Sequence, residues 1–282
     1  MNLGIQIVSF GVMLTIAVIY FLNKHIKLLS TRIYTLYLSV SLFYSVFEGC
    51  TIYTLYHIDT IDPFINRLAH QLFIGSLVLI LMFLFIYIDI LTRKQKRYKL
   101  IEFIIRILPA LLSLVITAFG RIDYHIGSDG RYSYGPVVSM LYACLAVYAL
   151  WTIITVIRRR KSVPSHIMFT ALCGISGWII IGIVQVFNPT WLIESMGVSL
   201  MQLFIFLSVE NPHEYNDMDI SGALNRHAFE MMLKEWCENG KGFFVVTFTL
   251  ANSELLKNSV GVSEVYNILG WAALKLTPVL RS

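Results

Sequence analysis

Residues 71–92, QLFIGSLVLILMFLFIYIDILT, are apolar over nearly their whole length and end on a basic stretch at 93–99, RKQKRYK. A helix rises ~1.5 Å per residue, so about 20 apolar residues cross a hydrocarbon core of about 30 Å. This run qualifies, and so do six others at 4–22, 33–55, 100–119, 137–157, 167–187 and 191–209. Together they predict an all-α polytopic membrane bundle of seven transmembrane helices over residues 1–209. The composition agrees: 57 % of the 282 residues are apolar and 14 % are charged, which excludes an ordinary water-soluble domain. No basic residue precedes the first run and no small-residue cleavage pattern follows it, so a retained span is expected rather than a removed leader.

The loops between the runs set an orientation. Lys24, Lys27 and Arg32 fill the first loop, Arg93, Lys94, Lys96, Arg97 and Lys99 the third, and Arg158, Arg159, Arg160 and Lys161 the fifth. The second, fourth and sixth loops hold only Arg67, Arg121 and Arg131. Basic residues stay on the cytoplasmic side, so the N-terminus is expected outside and the segment after the seventh run inside. The net charge of +5 has the same origin: residues 1–210 carry 16 basic and 9 acidic side chains, residues 211–282 carry 6 and 8. That excess points to lipid headgroups and topology, and no nucleic-acid partner is expected. Cys50, Cys144, Cys173 and Cys237 stand singly, without the spacing of a disulfide framework or a zinc site.

Polar side chains inside spans are costly and usually face the bundle interior. With the orientation above, Gln6, Glu48, His70, Gln71, Gln185 and Glu194 all fall in the outer half, Glu48 deepest among them. They form a candidate ligand pocket open to the outside; interhelical hydrogen bonding that serves packing alone is the other reading. The fourth loop, GRIDYHIGSDGRYSYG (120–135), is rich in turn formers and reads as a small hairpin, either a solvated connector or a lid over that pocket. Glu102 and Arg106, four apart, are expected to pair locally. Cys173 with Gly177, and Ser195 with Ser199, are small residues at four-residue spacing that let helices approach, within the chain or across a homodimer seam.

Beyond the linker (210–218), Asp219–Glu230 reads DISGALNRHAFE. A helix is expected from Ser221 to Trp236, capped by Asp219 or Ser221, then a buried strand at 242–250 (GFFVVTFTL), then a helix from Glu254 into Leu276. Ile220, Ser221, Gly222, Leu224, Asn225, Arg226 and Phe229 resemble the LTGLxNRxxF opening of GGDEF domains, the bacterial diguanylate cyclase family, with Ala223 where Leu is usual. The resemblance covers 219–282, a partial α/β GGDEF-like segment, and implies a bacterial inner-membrane sensor.

Family members hold divalent metal against GTP through carboxylates. The positions that the resemblance assigns to metal fall on Thr249 and Ala251, and those assigned to guanine on Lys257 and Tyr266; Asn252 and Gly261 remain. The GGDEF turn itself would lie beyond Ser282, which marks the sequence as either a truncated form or a dedicated non-enzymatic protein. No other catalytic constellation is present. The expectation is therefore a signalling protein with a catalytically inactive tail, no catalytic residues and no cofactor. Its expected partners are the bilayer, a small-molecule ligand, and a second copy or a cytoplasmic signalling protein. Two alternatives stand beside it: a diguanylate cyclase using Mg²⁺ to make cyclic di-GMP from GTP, and a transporter or channel.

Overall fold

The computed structural model describes residues 3–23, 26, 28–93, 98–127, 130–161, 163, 165–211, 215–217, 219–220, 223–240 and 242–279. Lys24, Lys27, Lys94, Lys96, Arg97, Asp129, Ser221 and Gly222, all used above, lie outside them. The chain forms two compact units, one of residues 1–19 and 29–210, the other of 20–28 and 211–282.

The first unit is the bundle. Its helices are α1 (Gly4–Leu22, as far as Ile19), α2 (Leu29–Tyr56), α3 (Pro63–Thr92), α4 (Leu100–Phe119), α5 (Pro136–Arg159), α6 (Ser165–Phe187) and α7 (Glu194–Ser208), with a hairpin of β1 (Asp123–Gly127) and β2 (Gly130–Tyr134) before α5. Six of them, α1 to α6, are long and apolar enough to cross a membrane. The seventh run yields a helix of only 15 residues, ~22 Å long and short of a full hydrocarbon core. Its first residues are taken by the turn after α6, where Leu192 adopts φ 50°.

Helix α3 is the axis of the bundle and packs against α2, α4, α5 and α6. Within its apolar window 72 % of residues are buried, against 17–39 % in the other five long helices. That fits a sequence apolar on all sides, whereas the others keep an outward apolar face. Helix α3 begins eight residues before the apolar run because Asp62 caps it, accepting from Phe64 N at 2.7 Å, with Pro63 at the first helical position.

Where backbone groups come free inside the bundle, side chains take them up. Pro109 interrupts α4, and the Tyr148 hydroxyl of α5 enters the gap: it accepts from Ala110 N at 3.2 Å and donates to Arg106 O at 3.0 Å. These two backbone groups would otherwise bond to each other in an unbroken helix. Helices α6 and α7 approach through Gly174, where any side chain would overlap Met201, and Gly197, where a Cβ would lie 2.6 Å from Ile181. The close approach thus falls on these glycines; a Cβ at Gly177 would meet nothing within 4 Å.

At the far end of α3, Asp89 is 1 % exposed and gathers cations from three elements. Its carboxylate receives Arg106 Nε at 3.0 Å and Arg159 Nη1 at 2.8 Å, and the Tyr98 hydroxyl at 2.6 Å. Arg93 bridges onward to Glu102 at 2.6 Å. The expected Glu102–Arg106 pair is therefore replaced: Arg106 reaches only the Glu102 backbone carbonyl, at 2.8 Å, and pairs with the more deeply buried Asp89. Burial, then the Asp89 charge, raise the Tyr98 phenol above its ordinary pKa.

The second unit has a smaller core, in which Ile26, Leu28 and Ala228 pack with Tyr215, Leu224, Met231 and Met232. Its helices are α8 (Arg226–Glu238), α9 (Ser253–Val260) and α10 (Val262–Val279). The cap of α8 is Asn225, whose Oδ1 accepts from Ala228 N at 3.0 Å, so the helix begins later than Asp219 or Ser221 would allow. Asp217 instead folds its own turn, accepting from Asp219 N and Ile220 N at 3.0 and 2.9 Å. Residues 242–250 form no strand, and Phe244 is 98 % exposed. An apolar β-branched segment is not a strand without a neighbour to pair with, and the only bridge among the described residues of this unit is Asn216 with Leu224. The last helix is broken in two at Gly261, φ 92°.

Candidate functional site

Three of the sequence-selected pocket residues come together. Glu48 of α2, His70 of α3 and Glu194 of α7 line one cavity of about 40 Å³. The rest of its wall is Thr51, Ile52, Leu55 and Tyr56 of α2, Phe73 of α3, Leu192, and Arg131, Tyr132 and Ser133 of β2. The hairpin is thus part of the cavity wall.

The wall is built from short-range devices. Hairpin register pairs Asp123 with Tyr134 and His125 with Tyr132, which alternates Tyr124 and Tyr132 along it. Tyr124 meets the His70 ring edge-on at 4.9 Å between centroids, and His125 stacks on Tyr132 at 4.7 Å. Gly130 and Gly135 hold φ 145° and 107°, a region that residues with a Cβ rarely enter. Arg131 Nη1 donates to Leu55 O at 3.1 Å and Tyr56 O at 2.8 Å, capping the end of α2, and its guanidinium lies 5.2 Å from the Tyr56 ring centre.

Glu194 is placed by the turn before it. Gln185 Nε2 donates to Pro189 O at 3.0 Å, Ile193 N donates to Gln185 Oε1 at 3.2 Å, and Gln6 Nε2 donates to Leu192 O at 2.9 Å. Gln185 and Gln6 therefore shape the site from outside the cavity. Gln71 serves neither purpose: its amide donates to Thr117 O at 3.1 Å and Ala118 O at 2.8 Å, closing the end of α4. His70 lines the cavity with Nδ1 against Asn66 O at 2.9 Å.

Glu48 is 3 % exposed. Tyr44, Ser195 and Gln6 supply polar side chains around its carboxyl, and Glu194 lies close enough to act on it electrostatically. Even so, no well-formed hydrogen bond reaches Glu48 Oε2, Tyr44 Oη or Ser195 Oγ. Buried polar atoms in native proteins nearly always have partners. Their concentration beside the cavity makes it the candidate site.

The positions that the GGDEF resemblance assigns to metal and guanine do not form a site. Thr249, Ala251 and Asn252 are exposed, and Asn252 begins α9 at φ 57°. Lys257 turns its ammonium toward the Tyr266 ring, 5.8 Å away. A threonine hydroxyl and an alanine methyl offer no charged oxygen to Mg²⁺, so these residues do not fit the ion.

The sequence does not single out Arg131, Tyr132 and Ser133 within their loop, although two arginines, Arg121 and Arg131, in a glycine-rich loop are a usable signal. No protein-family model, curated protein or solved structure matches this chain.

Proposed function

We propose that this chain is a multi-pass bacterial inner-membrane protein of the sensor type, N-terminus outside, that binds a small molecule in the cavity of Glu48, His70, Arg131 and Glu194. In this reading α7 completes seven crossings, and the GGDEF-like tail is catalytically inactive and passes the signal to a cytoplasmic partner. The observation that carries it is the cavity itself, with buried polar atoms left without partners among residues from α2, α7 and the hairpin. The distribution of Lys and Arg supports the orientation. A ligand acts by binding two arrangements of the bundle with different affinity, and residues 208–217 carry the difference to the tail.

Two measurements test the reading. Single cysteines placed at Asp59 and at Arg160 in a cysteine-free background are labelled by an impermeant maleimide in intact cells, and reaction at Asp59 alone is expected; the reverse pattern overturns the orientation. Incubating the full chain with GTP and Mg²⁺ is expected to yield no cyclic di-GMP, and product formation overturns the inactive tail.

A further inference from the structure

Resting on the reading of this cavity as a ligand site, we infer that its ligand is cationic: the head of a small organic amine, held between Glu48 and Glu194. The cavity walls carry two carboxyl groups, the His70 imidazole and one guanidinium, whose Nη1 is already bonded to backbone. Arg131 is turned to the carbonyls of Leu55 and Tyr56 and to the Tyr56 ring, and among the described residues no ion pair links it to Glu48 or Glu194. With both acids ionised and His70 neutral, one negative charge is left over, and a single monocation makes the site neutral.

The remaining features fit the same occupant. Glu48 Oε2 is a buried acceptor that no hydrogen bond of good geometry reaches among the described residues, and Ser195 and Tyr44 present hydroxyl oxygens beside it. An ammonium group is donor-only, so it matches a set of unfilled acceptors. The cavity is also walled by the rings of Tyr56, Phe73 and Tyr132, and aromatic faces attract a desolvated cation. An anion would meet two carboxyl groups and a guanidinium whose Nη1 is already turned to Leu55 O and Tyr56 O. Among the described residues no three His, Cys, Asp or Glu side chains converge as metal ligands, so the coordination shell of a metal ion is not assembled here. A volume of about 40 Å³ admits an alkylammonium head and little more.

The test uses the full chain, purified in detergent, with thermal unfolding as readout and ethylammonium chloride as probe, against sodium acetate and sodium chloride at equal ionic strength. Ethylammonium is expected to raise Tm saturably and the two sodium salts are not. Glu48→Gln and Glu194→Gln are each expected to weaken that apparent affinity at least tenfold, and Glu102→Gln, at the other end of the bundle, to leave it unchanged. A saturable shift with acetate but not ethylammonium overturns the cationic assignment while leaving the cavity as a ligand site. The absence of a saturable shift with either overturns the assignment as well. If Glu48→Gln does not fold, Glu194→Gln and the wild-type salt comparison still decide the matter. Hydrogen exchange over residues 223–240 separates binding from signalling: saturable binding without a change there leaves the cationic site standing and removes the sensor reading.

Discussion

Two clusters of buried charge sit at opposite ends of α3, and they are finished to different degrees. Nineteen residues separate His70 from Asp89, ~28 Å along a helix and close to one hydrocarbon thickness. At the Asp89 end, one carboxylate holds two arginines and a tyrosine hydroxyl within 3.0 Å. At the Glu48 end, among the described residues, no hydrogen bond of good geometry reaches a carboxyl oxygen equally deep in protein. A saturated cluster fixes how helices pack, whereas an unsaturated one costs stability unless something supplies the missing partner. Glu210, just past α7, lies between these extremes: Tyr87 donates to it at 2.8 Å, and among the described residues it has no cationic partner.

Replacing Asp89 should have the largest effect. Asp89→Ala leaves Arg106 and Arg159, with side chains 13 % and 27 % exposed, without their counter-ion, an expected loss of ~3–5 kcal/mol. Thermal unfolding in detergent would show a Tm far below that of the wild type. A wild-type Tm would mean that the cluster does not organise the bundle.

Glu210 comes next and concerns pH. Burial pushes its carboxyl up to about 7, against the opposing bonds from Tyr87 and Thr31. A carboxyl whose folded value is raised binds its proton more tightly in the native state. Stability is then greatest below the ordinary carboxylate range and is lost as pH rises toward 7, by about 3 kcal/mol. Tm measured from pH 4.5 to 7.5 should fall across that window, and Glu210→Gln should flatten the slope. An unchanged slope in the variant would assign the effect to other groups.

Tyr148→Phe removes the hydroxyl that serves both Ala110 N and Arg106 O, and a loss of ~1–3 kcal/mol is expected from the two stranded groups. The smallest stability effect belongs to the other end of the comparison. Glu48→Gln replaces an unsatisfied carboxyl with a neutral group of the same shape, so Tm should stay level or rise. A drop as large as that of Asp89→Ala would show that Glu48 is a structural hub too, and the contrast would collapse.

Hydropathy located the six long helices within a few residues, because the cost of burying polar backbone and side chains in hydrocarbon leaves little freedom. It extended poorly to the ends: α3 starts at Pro63 through its Asp62 cap, and α7 starts only at Glu194. Depth alone picked Glu48, His70 and Glu194, but depth does not say which way a side chain faces. Gln71 and Gln185, at the same level, bond to backbone instead. Asp89 was invisible for the opposite reason, one acid inside an apolar run whose partners, Arg106 and Arg159, are far along the chain. The strand expected at 242–250 failed because apolarity and β-branching favour a strand only where a neighbour exists to pair with it.

The phenol of Tyr148 splices two helices beside Pro109, which has no N–H to give to the α4 ladder. Any rotation of α5 that withdraws it would bare an amide and a carbonyl in hydrocarbon, so the two helices are geared together. A signal that twisted either would have to turn both.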